Sequence, residues 1–172
     1  MIKFKLLSGI FIIALFCFFK QDDWKRYSYD NNNVSVEFPS EPQRSMFDQN
    51  SYFSEINKKE ITLSIEIIDS SKFINSMDSL KKNPLLFFLN YSLNQVKNSK
   101  LKNKILYSKE IAYQDSIECK EYAWCYKSDV TYHRIFFRNF KFYDIGLGGK
   151  KCNNRENETT KNFFFESLLF LK

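Results

Sequence analysis

The run ITLSIEII, Ile61 to Ile68, constrains this chain more than any other stretch. Ile61, Leu63, Ile65 and Ile67 fall on one side of an extended backbone, while Thr62, Ser64 and Glu66 fall on the other. The segment is therefore a strand with one dry face and one wet face, and it needs antiparallel neighbours and an apolar cover. Val34, Val36 and Phe38 repeat the pattern after an Asp30-Asn31-Asn32-Asn33 turn signal. Pro39 ends that strand or sets it on an edge, because proline brings no amide hydrogen to a ladder. Ser40-Glu41-Pro42-Gln43 reads as a turn, Phe47 to Ile56 as a weaker strand, and Asn57 to Glu60 as another turn. Together these runs predict an antiparallel meander.

The period then changes. Asn83-Pro84 reads as a helix cap followed by a first-turn proline, whose missing donor costs nothing there. Leu86, Leu89, Leu93 and Val96 recur at helical spacing, with Phe88 and Tyr91 beside them, predicting an amphipathic helix over Pro84–Asn98 laid on the sheet. Strands return at Lys104 to Tyr113, Ser116 to Lys127, VTYHRIFF and FKFYDIGLG, with turns at Gln114-Asp115, Ser128-Asp129 and Arg138-Asn139. Gly148 to Glu158 reads as a loop, and a closing helix from about Thr159 can bury Phe163, Phe164 and Leu168. The 172 residues carry 44% hydrophobic and 18% aromatic side chains, ample for a core. No repeat or linker divides them, so residues 21–172 are expected to form one α+β domain. Its antiparallel sheet of about six to seven strands would carry one long amphipathic helix and a C-terminal helix.

Residues 1–20 are set apart from that domain. Lys3 and Lys5 precede an apolar run of 14 residues, Leu6 to Phe19, which ends at Lys20-Gln21-Asp22-Asp23. This is the layout of an export signal, and the run is shorter than the roughly 20 residues of a spanning helix. Three fates are open to it: ordinary cleavage, lipid attachment at Cys17 behind a bulky Phe16, or retention as a membrane anchor. Each places the folded part outside the cytoplasm, with membrane contact only through residues 1–20.

The net charge of +6 shrinks once the leader is set aside, leaving 23 basic against 20 acidic side chains. Only Lys97, Lys100, Lys102 and Lys104 cluster, which reads as a solvated helix end, and no nucleic-acid partner is expected. Cys119, Cys125 and Cys152 remain. The first two sit six apart in a strand-like run and would be about 20 Å apart, too far to bond. Cys152 is thus the candidate disulfide partner of Cys119 or Cys125, the alternative being three buried thiols.

Chemistry-bearing motifs are sparse. His133 is the lone histidine, and a cysteine-histidine pair would need it beside Cys119, Cys125 or Cys152. No C-x-x-C or similar spacing suggests zinc, and Gly146 to Lys151 lacks the spacing of a phosphate loop. Asp22-Asp23 and Glu110 with Asp115 make no carboxylate pair of the kind that hydrolyses glycosides. No cofactor is expected. Tyr122, Trp124 and Tyr126 share one strand face, which is either a docking or ligand face or core beneath the helix.

Several segments resemble the PsbP-like superfamily, in particular small exported bacterial proteins of unknown role. These are Trp24 and Tyr27, VSVEFPSEP at 34–42, YHRIFFRNFKFYDIGLG at 132–148 and FFFESLLF at 163–170. Glycines common in that family are replaced here by Ser35, Ser40 and Arg138-Asn139. The resemblance implies a PsbP-like α/β sandwich and action by docking on larger proteins, without catalysis. The expectation is an exported, non-enzymatic binding or assembly module of the bacterial cell envelope with a protein partner there. The alternatives are a small-ligand carrier and an enzyme built around the aromatic strand face and His133. A reporter fused after residue 30 is expected to be exported, and reporter activity confined to the cytoplasm would contradict the reading of the leader.

Overall fold

A computed structural model describes residues 24–31, 33–46, 50–56, 61–113, 117–152 and 155–171. The leader with Cys17 and Asp22-Asp23, the turn at 57–60 and the Gln114-Asp115 turn lie outside the described residues. The elements are β1 (Lys25–Tyr29), β2 (Val34–Phe38), β3 (Gln43–Arg44), β4 (Ser51–Ile56) and β5 (Ile61–Asp69). A 3-10 helix (Ser70–Ser76), α1 (Met77–Lys82) and α2 (Pro84–Asn98) follow. The chain continues through β6 (Lys104–Tyr113), β7 (Ile117–Tyr126), β8 (Asp129–Arg138), β9 (Lys141–Lys150), α3 (Arg155–Glu166) and β10 (Leu169–Phe170).

The predicted sheet is present, with seven antiparallel strands in the order β3-β4-β5-β9-β8-β7-β6. β5 lies within it, its Ile61, Leu63, Ile65 and Ile67 buried as the alternation requires. β2 corrects the meander. It is the middle strand of a second sheet, β1-β2-β10, and Ser35 on its expected wet side is buried too. Arg26 accounts for this by donating from Nη1 to Ser35 Oγ at 3.1 Å and to the Ser167 carbonyl at 2.7 Å. β1 and β10 escaped the sequence reading because each is too short or too polar to show a period.

Two turns shift by one residue. Tyr126 pairs with Asp129 and Arg138 with Lys141, leaving Lys127-Ser128 and Asn139-Phe140 as two-residue hairpin turns. Gly148 and Gly149, expected in a loop, are strand residues. At Gly149 a Cβ would lie 2.7 Å from Asn157 Oδ1, so the glycine lets α3 start close against β9.

α1 and α2 cover one face of the large sheet. Asn83 Oδ1 accepts from the Leu86 amide at 2.9 Å, the predicted cap, and α2 has the predicted bounds. Its buried stripe is rotated, however, to Leu85, Phe88 and Leu89, leaving Leu86 43% exposed. Phe88 sets the rotation by stacking on Phe142 with centroids 4.4 Å apart. The small sheet and α3 seal the opposite face, where Phe164, Phe165 and Leu168 are wholly buried. Phe165 thus takes the core place expected of Phe163, which instead meets Trp24 edge-on at 4.7 Å.

Within that sealed layer lies a buried ion pair. Arg134 donates from Nε and Nη2 to Glu121 Oε2 at 3.1 and 2.9 Å, and from Nη1 to Glu166 Oε1 of α3 at 2.7 Å. Tyr107 donates to Glu121 Oε1 at 2.8 Å, and Lys161 lies 3.5 Å away. Burial alone would raise the Glu121 pKa, yet the Arg134 and Tyr107 hydrogen bonds hold it below the usual carboxylate value. Arg134→Ala would remove two of the charged hydrogen bonds that Glu121 accepts, leaving it to Tyr107, Lys109 and Lys161, and is expected to cost about 2–4 kcal/mol. Arg26→Ala opens the more exposed pair with Glu37 but also empties a part-buried donor site, so Glu37→Ala is the cleaner surface control, at about 1 kcal/mol or less. Urea denaturation checks both, and equal losses would contradict the assignment.

Candidate functional site

Period-two alternation in β7 places Tyr122, Trp124 and Tyr126 on the α2 side of the sheet. Tyr122 is buried beneath α2 and hydrogen-bonded to Ser92, and burial raises its pKa. Trp124 is half-buried and packs on the α2 cluster. Tyr126 sits at the strand end, half-buried, with the Lys127 ammonium 5.2 Å from its ring centre. Lys97, Lys100, Lys102 and Lys104 are exposed at the end of α2 and the segment after it.

His133 lies beside Tyr122 in register, and the two rings stack almost parallel, 4.7 Å between centroids. Its Nδ1 is 2.9 Å from Asp144 Oδ1 on β9. Gly146 lies directly opposite His133 across the β8–β9 ladder, and the close approach it permits is that of Ser64. A Cβ there would lie 3.5 Å from the imidazole and 2.8 Å from Ser64 Oγ. One residue pair further along, Glu66 stands directly across the ladder from Asp144, on the same face. Burial disfavours the imidazolium, but Asp144, through its charge and hydrogen bond, and Glu66 outweigh this and raise the His133 pKa above 6.5.

Between this floor and α2 is a cavity of about 420 Å³, walled by Phe88, Tyr91, Tyr122 and Trp124. Sequence reasoning missed Glu66 and Asp144 as partners. The signal was present at Asp144, an acid between Tyr143 and Ile145 in an otherwise apolar strand.

The cysteines lie elsewhere. Cys125 is bonded to Cys152, with Cα atoms 6.3 Å apart. Cys119 is a free buried thiol that donates to the Ile111 carbonyl at 3.3 Å, its pKa pushed up to about 11 mainly by burial. Cys119 and Cys125 face the sealed core, opposite His133, so no cysteine-histidine pair forms among them. Glu110 is paired with Lys120, and Asp115 lies outside the described residues. Among the described residues no three His, Cys, Asp or Glu side chains converge as metal ligands.

No family model matches the chain, and no curated protein matches it in sequence. Solved structures do match in fold. PA94, a protein of unknown function from Pseudomonas aeruginosa, is 11% identical at a TM-score of 0.58, covering 87% of this chain and 98% of that one. The cyanobacterial PsbP of Synechocystis is 9% identical at 0.54, covering 87% and 93%. The protein Mog1 is 6% identical at 0.50, covering 87% and 96%. The fold is PsbP-like, as the sequence motifs implied.

Because the folded-state pKa of His133 is raised, its contribution to stability is complete below about 6.5 and disappears as pH rises through the folded value. Urea midpoints on both sides of pH 6.5 should therefore fall more steeply with pH for the native chain than for His133→Gln. Parallel curves would count against the His133–Asp144 interaction.

Proposed function

We propose that this chain is an exported, non-enzymatic module that docks on a protein of the cell envelope through the β8–β9 hairpin tip. Phe140 carries the proposal. It is 78% exposed and occupies a turn position at φ 59°. Glycine suits that backbone, whereas a side chain with a Cβ costs about 1–2 kcal/mol there. Strain at an exposed aromatic points to a use outside the fold, and aromatic side chains are the usual anchors of protein interfaces. The leader layout supports export, and the docking implied by the PsbP-like resemblance agrees with a binding role. The cysteine-histidine form of the enzyme reading lacks support from the geometry, since Cys119 and Cys125 sit across the sheet from His133.

An affinity-tagged chain expressed in a bacterium provides the test, with capture from the native envelope compared between the native chain and Phe140→Gly. The substitution is expected to raise Tm by roughly 2–4 °C while reducing partner capture at least about tenfold. Undiminished capture by the stabilised variant would overturn the assignment of the tip.

A further inference from the structure

We infer that the outer face of α2 receives an acidic, amphipathic helix of a partner protein, a contact that rests on the docking reading but lies apart from the hairpin tip. α2 lays Leu85, Phe88 and Leu89 on the sheet. Its other side presents Asn83, Leu86, Phe87, Asn90, Tyr91 and Asn94, which recur at three- and four-residue spacing and so form one stripe. With Phe73 of the 3-10 helix and Lys82 of α1, this stripe lines a groove of about 710 Å³. Leu86 and Tyr91 are 43% and 42% exposed there. Phe73 forms a wall, its ring meeting those of Phe87 and Tyr91 edge-on at 5.4 and 5.1 Å. An open stripe of this kind, about three turns long, fits the apolar face of a second helix.

Charge names the occupant. Lys82 stands at the junction of α1 and α2, where the stripe begins, and Lys97 continues the stripe three residues beyond Asn94; both are exposed. Among the described residues neither lysine has an ion-pair partner, and no acid lines the groove. Lys72 borders the groove as well, but its charge already acts on Asp69. A cation at each end of an apolar centre, roughly 20 Å apart, matches a helix with carboxylates at both ends and apolar side chains between them. The leader is a poor occupant, because residues 1–20 carry Lys3, Lys5 and Lys20 and no acid. Trp24, the first described residue after the leader, packs edge-on against Phe163 of α3, across the sheet from α2. A concave groove on the side away from that attachment fits a protein helix and not a flat lipid surface.

The test is photo-crosslinking of the full chain in its native cells, with p-benzoylphenylalanine in place of the exposed Leu86 and the captured segment sequenced by mass spectrometry. That segment is expected to be helix-forming, with Asp or Glu on both sides of an apolar stretch. Lys82→Glu combined with Lys97→Glu should reduce the cross-link at least about tenfold, while Lys82→Arg combined with Lys97→Arg should keep it. An unchanged Tm for both pairs would show that these exposed positions leave the fold intact. Phe140→Gly leaves every groove residue in place, so a cross-link to such a segment upholds the groove even where the assignment of the tip fails. A cross-link to lipid, to a second copy of this chain or to a segment without acids, no cross-link at all, or one undiminished by charge reversal would each overturn the inference.

Discussion

Glu121 and Arg134 meet in the layer where the large sheet, α3 and the small sheet converge. Neither charge could stay there alone, because an isolated ion in a dry interior loses several kcal/mol of hydration. Each is held by more than one partner, and one of those partners, Glu166, belongs to α3. The guanidinium also lies over the Tyr113 and Phe165 rings, 5.5 and 5.1 Å from their centroids. The position of α3 is thus specified by directional contacts as well as by the apolar burial of Phe164, Phe165 and Leu168. Apolar packing alone would tolerate other rotations of a helix with so many phenylalanines.

The two faces of the large sheet consequently differ in kind. One is sealed and carries its charges in satisfied pairs. The other is only partly roofed by α2, so of the polar residues that alternation sends there Ser64, Glu66 and His133 are half-buried and Asp144 is buried beneath them. A cavity between a rigid sheet and a single helix arises from that incomplete cover. Gly146 tightens it locally, because a Cβ at that position would crowd Ser64 Oγ of the neighbouring strand, 2.8 Å away.

Legibility followed the strength of local signals. The period-two run of β5 and the Asn83-Pro84 start of α2 were readable because backbone geometry writes them into neighbouring residues. The rotation of α2 was not, since Leu85 and Leu86 are equivalent to a helical pattern until Phe142 is brought beneath Phe88. The second sheet was hidden for the same reason. Ser35 looks wet in sequence and becomes dry only because Arg26 and the chain near Ser167 fold over it. His133 was visible as a lone histidine, while its carboxylate neighbours depended on a strand register that no single segment contains.

The pairing of β10 with β2 bears on the order in which the chain can fold. Leu169 and Phe170 align with Ser35 and Val34, joining segments at nearly opposite ends of the polypeptide. Such a contact closes a very long loop, so its entropy must be paid before the pairing returns anything, and it belongs among the late events. The small sheet is incomplete until the last strand has been delivered. A partly synthesised chain therefore lacks the latch that shuts its sealed face, and it completes the native topology only when the two segments are together.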